Sequence, residues 1–196
     1  MTKYILLGGA DLSASGSQKA SLAEEIKDSL DEQPKILSVP FALPRENWEQ
    51  YYPTRKEYFG QLFSGNHESK MAQPQQFEEQ IKWANTIWLH GGDETLLSYW
   101  LDKYDLKSLF SKKVVVGSSA GAEYLSATFN TPDWREIKKG RGFIDANVIT
   151  HYGSDYGLDD PRGPVDWVNM KSELEKFDSS IKTYCLSEGD FAVFEK

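Results

Sequence analysis

Val114-Val115-Val116-Gly117-Ser118-Ser119-Ala120-Gly121-Ala122 is a β-branched apolar run that ends in Gly-x-Ser-x-Gly and continues into helix-permissive residues. It reads as a strand, a tight turn and a helix start, the layout of a nucleophile elbow. A serine on such a turn has its hydroxyl thrust out of the sheet. The small residues at 117, 120 and 121 let neighbouring backbone come close. Backbone N–H groups from Ala120 onward then face any oxyanion formed when Ser119 attacks a carbonyl. The same pentapeptide also fits an ordinary Gly-rich turn, so the rest of the chain decides.

Outward from that run, short apolar strands alternate with longer amphipathic helices. Residues 4–8, 35–39 and 86–89 read as strands, and residues 19–30, 45–63, 77–84 and 94–104 as helices, with Pro53 a kink or break in the second. Polar residues 64–76 read as a loop. Beyond the elbow, 143–150 reads as a strand, 165–177 as a helix, and 183–187 with 191–194 as a closing pair across Glu188-Gly189-Asp190. Alternation of this kind implies right-handed crossovers and a mainly parallel sheet with helices on both faces, an α/β three-layer α/β/α sandwich of flavodoxin-like winding. Ligands in such folds collect beyond the carboxyl ends of the strands. Three of those ends carry Gly-rich or polar turns: Gly8-Gly9, Gly91-Gly92 and Gly117-Ser118-Ser119.

The 196 residues suit a single domain, 1–196, and at this length about 70% of the unfolded chain's surface is expected to be buried. A net charge of −8, from 22 Lys and Arg against 30 Asp and Glu, argues against nucleic acid or an anionic membrane as the main partner. No apolar run approaches the roughly 20 residues of a membrane span, and residues 1–10 lack the pattern of a signal peptide, so a cytoplasmic location is expected. The single cysteine, Cys185, sits in an apolar run and reads as a buried structural thiol. Six Trp and ten Tyr leave room for a homodimer face, although no clean stripe of them assigns one.

A serine hydroxyl needs a neighbouring base, and the chain offers three histidines. His67 lies in a polar loop and reads as a solvated surface residue; His90 ends a strand and borders the site. His151 also ends a strand, 32 positions after Ser119 in the next strand of the expected order, which makes it the general base. Two carboxylates compete to orient it. Asp133 lies between nucleophile and base, and Glu188 in the turn after the last core strand; either is also ordinary turn chemistry. Gly91-Gly92-Asp93 presents bare N–H groups that would complete an oxyanion hole with Ala120, or else Asp93 merely caps a helix. Arg162, in a Pro-Gly turn, is either a surface residue or a fork for a substrate carboxylate.

With Gly-Gly-Asp at 91–93, Gly-Ser-Ser-Ala-Gly-Ala at 117–122 and His-Tyr-Gly at 151–153, the chain resembles the peptidase E and cyanophycinase-like serine peptidases of the class I glutamine amidotransferase-like superfamily. The resemblance runs over nearly the whole chain in element order. It implies hydrolysis of dipeptides with N-terminal aspartate, or of β-linked aspartyl polymers, without metal or cofactor. Ser119 is then the nucleophile and His151 the base. The acidic member varies among relatives, so Asp133 and Glu188 both stay open. The chain is shorter than characterised relatives, and the segment after His151, which shapes specificity, matches them poorly. A glutamine amidotransferase would carry cysteine at the elbow and glutamate two residues after the histidine; Ser119 and Gly153 stand there.

The expected activity is therefore a serine peptidase acting on small peptides through an acyl-enzyme. The alternatives are a small-molecule esterase, suggested by His90-Gly91-Gly92, and a non-catalytic ligand-binding member of the fold. A phosphate-binding turn over Gly8-Gly9 and residues 13–17 is a weaker reading.

Overall fold

The computed structural model describes every residue except 10, 11 and 13. A sheet is built from β1 (Lys3–Leu7), β2 (Lys35–Val39), β3 (Glu68–Met71), β4 (Thr86–Leu89), β5 (Val114–Ser118) and β10 (Phe191–Glu195), in the order β10-β1-β5-β4-β2-β3. All neighbours are parallel except β10, which runs antiparallel to β1. A second sheet holds β6 (Thr128–Thr131), β7 (Glu136–Lys139), β8 (Asn147–Ile149) and β9 (Thr183–Cys185) in the order β7-β6-β8-β9.

Alternation along the central strands splits the core into two faces. Ile5, Leu7, Val114, Val116 and Trp88 pack with Leu22, Ala23 and Ile26 of α1 (Gly16–Lys27) and with Tyr58, Phe59 and Leu62 of α2 (Trp48–Leu62). Leu6, Val115, Ile87 and Leu89 face the other way. They meet α3 (Phe77–Trp83), α4 (Glu94–Leu101), α5 (Leu106–Leu109) and α6 (Ala120–Leu125). Each fully buried Leu, Ile or Val side chain contributes about 1.5–3 kcal/mol, so a strand apolar on both faces belongs between two helical layers. The fold is α/β, with mostly parallel sheets and helices on both sides. Met170 and Leu174 of α7 (Trp167–Phe177) cover Ile149 of the second sheet.

Several expected elements change. The 64–76 loop contains β3, and residues 143–150 shrink to the three-residue β8. Strands β6 and β7 have no counterpart in the expected order. Both β3 (Glu-Ser-Lys-Met) and β7 (Glu-Ile-Lys-Lys) are polar edge strands, whose charges guard an open edge and hide the strand signal. Strands β9 and β10 do not form a hairpin: β9 joins β8 and β10 joins β1, because Leu186 N–H bonds to Ile149 O and Gly8 N–H to Asp190 O. Helix α2 runs through Pro53 without a break, and α4 ends at Leu101 rather than 104. Much of the aromatic surplus lies inside, where Phe41 stacks on Trp48 and packs against Phe77 and Trp100. Cys185 is half-buried rather than buried, and desolvation pushes its thiol pKa up. Ser13 of the 13–17 segment lies outside the described residues, while Ser15 caps α1 by accepting from Gln18 N–H. Among the described residues no helix is long and apolar enough to cross a membrane.

Candidate active site

Strands β1 and β5 end level, Leu7 opposite Ser118, and Ser119 N–H donates to Leu7 O at 3.1 Å. The backbone of Ser119 then turns to φ 50°, ψ −114°, outside the ordinary L-residue wells, before α6 begins. Such a conformation costs on the order of 1–3 kcal/mol and persists because the strand bond before it and α6 after it over-determine the turn. Its O already accepts from Ala122 and Glu123 N–H.

The Ser119 hydroxyl shares a 3.0 Å hydrogen bond with Nε2 of His151. Nδ1 of the same ring lies 3.3 Å from Oε1 of Glu188. With its proton on Nδ1, facing that carboxylate, the imidazole keeps Nε2 free to accept from the hydroxyl. His151 does not extend the strand beside β5 as expected; it lies just past β8 in the second sheet. The carboxyl end of β1 brings the two together, since Gly8 O accepts from His151 N–H at 2.7 Å. Gly9 O in turn accepts from Gly189 N–H, which sets the turn carrying Glu188 beside them. Gly9 has φ +114°, and a Cβ there would fall 2.2 Å from His151 Cε1, so only glycine leaves room for the ring.

Asp133 stands elsewhere. Its Oδ1 accepts from the Tyr156 hydroxyl at 2.7 Å, and the Tyr156 ring stacks on His151 with centroids 4.5 Å apart and planes 24° from parallel. Burial first, and then the bond to Asp133, raise the Tyr156 phenol pKa, so it stays protonated at neutral pH.

Gly91 packs against Ser119: a Cβ built on it would lie 3.1 Å from Ser119 Cβ and 3.6 Å from Oγ. Gly92, at φ +138°, backs onto Ala42. Among the described residues none accepts a backbone hydrogen bond from the amides of Gly91, Gly92 or Ala120. Asp93 caps α4, accepting from Thr95 and Leu96 N–H. Beside Gly92 and Tyr156 opens a cavity of about 470 Å³, lined also by Asp93, Glu94, Asp133, Asp160, Trp134 and Arg162. Arg162 reaches this wall already engaged: its guanidinium binds the Asp160 carboxylate and, through Nη2, Asp133 O at 2.6 Å. That pairing holds the Asp160 carboxyl well below the usual carboxylate range.

The other two histidines are placed differently. His90 is wholly buried and bonds to Ser38 Oγ at 2.7 Å; burial, and then the charge of Arg55, push its pKa well below 6.5 and leave it neutral. His67 is half-buried against Phe59 and Phe63 rather than solvated, and desolvation lowers its pKa. Among the described residues no group of three His, Cys, Asp or Glu side chains could hold a metal ion.

Three residues of this neighbourhood escaped the sequence reading: Gly9 as the floor under the imidazole, Tyr156 and Glu123. Glu123 is fully buried in α6, accepts from Thr150 Oγ1 at 2.9 Å, and is pushed up to about 8 mainly by desolvation. A lone acid in the run Ala120-Gly121-Ala122-Glu123-Tyr124-Leu125 was its available signal; Tyr156 had none.

The family model described as peptidase family S51 matches residues 4–184. No curated protein matches the chain. Among solved structures, a peptidase from an acI-B1 Actinobacterium superposes with a TM-score of 0.69 at 20% identity, covering 100% of this chain and 84% of that one. A candidate peptidase E protein from Listeria monocytogenes EGD-e superposes with a TM-score of 0.64 at 13% identity, covering 100% and 98%. At these identities the two likenesses show a shared fold.

Proposed function

Because this chain belongs to peptidase family S51, and so is a serine-type peptidase, we propose that it hydrolyses small peptides through an acyl-enzyme on Ser119. His151 is the general base, and Glu188 is the carboxylate behind it. The observation that carries the reading is the continuous contact Ser119 Oγ to His151 Nε2, 3.0 Å, and His151 Nδ1 to Glu188 Oε1, 3.3 Å, with the serine on a strained turn.

The serine oxygen attacks the scissile carbonyl carbon as its proton passes to Nε2, and Glu188 stabilises the resulting imidazolium. The carbonyl oxygen becomes an oxyanion. Amides of Ala120, next to Ser119 in the chain, and of Gly91-Gly92, the first of which packs against Ser119, are the donors available to it, and one such donor is worth about 3–4 kcal/mol in a preorganised site. Collapse breaks the C–N bond, and the leaving amine takes the proton from Nε2. Water then attacks the acyl-enzyme with His151 again as base, releasing the acid and restoring the serine.

An aspartyl preference is the finer part of the reading. In the adjoining cavity Arg162 is the cation that would receive a substrate carboxylate, in competition with Asp160. Intact-mass analysis after fluorophosphonate treatment tests the chemistry. A single adduct on wild type, absent from Ser119→Ala and at least about 10²-fold slower on His151→Ala, is expected. No adduct on folded wild type would discard the acyl-enzyme and favour a non-catalytic binder. On a panel of dipeptides, faster cleavage after N-terminal aspartate than after arginine or leucine supports the aspartyl preference, and the reverse order removes it.

A further inference from the structure

We propose that Tyr156 is a positioning residue for the general base, its ring holding the His151 imidazole in the one orientation that serves Ser119 and Glu188 together. The inference rests on the reading of Ser119 and His151 as nucleophile and base. Both working contacts of the imidazole leave from ring nitrogens in the ring plane, to Ser119 Oγ and to Glu188 Oε1. Rotation about the Cβ–Cγ bond therefore breaks both at once. Hydrogen bonds alone are a weak brake here, since the Glu188 contact is long at 3.3 Å and its side chain is 42% exposed.

Packing on the ring faces is the stronger brake. Tyr156 lies nearly parallel to the imidazole, 24° off with centroids 4.5 Å apart, so turning His151 would drive a ring edge into the tyrosine face. The backbone of Gly9 lies so close to the same imidazole that a Cβ would come within 2.2–2.8 Å of Cε1, Nε2 and Nδ1. The tyrosine is itself tied. Its hydroxyl donates to Asp133 Oδ1 at 2.7 Å, and its N–H to Ser154 Oγ at 3.1 Å. Asp133 O is held in turn by Arg162 Nη2. This assigns Asp133 a place in the site different from that of a third triad member: it anchors the ring that packs on the base. An aromatic face also suits the imidazolium that forms during reaction, because its negative quadrupole attracts a cation.

The rate at which fluorophosphonate labels Ser119 reads activation of the serine without needing the natural substrate. Tyr156→Leu removes the ring and should slow labelling by about tenfold or more, with the melting temperature changed little. Tyr156→Phe, which keeps the ring, should restore most of that rate. Equal slowing in both variants, or a wild-type rate in Tyr156→Leu, would overturn the proposal. Histidine ring NMR provides a measurement that needs no variant to fold. With three histidines in the chain, the Cε1 proton of His151 should show a ring-current displacement from Tyr156, and its absence would also overturn the proposal. Failure of the underlying reading looks different, since wild type would then not label at all.

Discussion

Glu188 and Asp133 are both carboxylates within one side chain of the imidazole's neighbourhood, and their partners separate them. Glu188 faces Nδ1 directly, whereas Asp133 meets the Tyr156 hydroxyl. Glu188→Gln should therefore lower kcat/KM by about 10–10³-fold, less than the ~10⁴ of a buried triad carboxylate, because water screens a half-exposed acid. Asp133→Asn, which can still accept from the tyrosine, should lose less than about tenfold. Steady-state kinetics on both variants decides the order, and a larger loss in Asp133→Asn would return Asp133 to the triad. Both candidates were legible in the sequence, but the choice was not, because turn residues carry no record of which ring they will face.

Between elements, Glu123 ties α6 to the chain just past β8. Its main-chain N–H donates to Ser119 O while its carboxyl accepts from Thr150, the residue before His151. Desolvation, reinforced by Glu94 and Asp133 and opposed by the Thr150 bond and Lys138, raises its pKa from 4.5 to about 8. A carboxyl with a raised folded pKa holds its full stability below the unfolded value and loses it as pH climbs through the folded one. Wild type should thus lose on the order of a few kcal/mol between about pH 4.5 and 8. Glu123→Gln cannot ionise and should escape this loss. Melting temperatures across that range should diverge, with the variant relatively more stable at higher pH; parallel curves would show that Glu123 ionises freely. Elements with apolar periodicity, such as β2 and β4, were read from the sequence to the residue. The polar edges β3 and β7 were not, because their stability comes from a neighbouring strand rather than from a buried face.

At the scale of the molecule, four distant segments meet at the end of β1: residues 8–9, 119, 151 and 186–190. Gly8 N–H bonds to Asp190 O, Gly8 O accepts from His151 N–H, and Tyr152 N–H bonds to Leu186 O. A Cβ on Gly8 would lie 2.1 Å from Ser187 O, so Gly8→Ala must push the 186–188 turn away from His151. Overpacking of this kind costs about 1–3 kcal/mol, and at this chain length each kcal/mol lowers Tm by about 2–4 °C. Gly8→Ala should therefore melt several degrees lower and also label more slowly with fluorophosphonate; a wild-type labelling rate would show that the Glu188 turn does not depend on this packing. The sequence by itself determined the α/β class, the strand, turn and helix around Ser119, and the short list of residues proposed to act with it. Periodicity and turn chemistry are local, and so they survive in a linear reading. Only the tertiary structure decided that β9 and β10 part into different sheets, that Glu188 and not Asp133 faces the imidazole, and that Tyr156 covers it. Those outcomes depend on which distant backbone groups pair across the end of β1, and such pairings follow from packing of the whole chain rather than from any one segment.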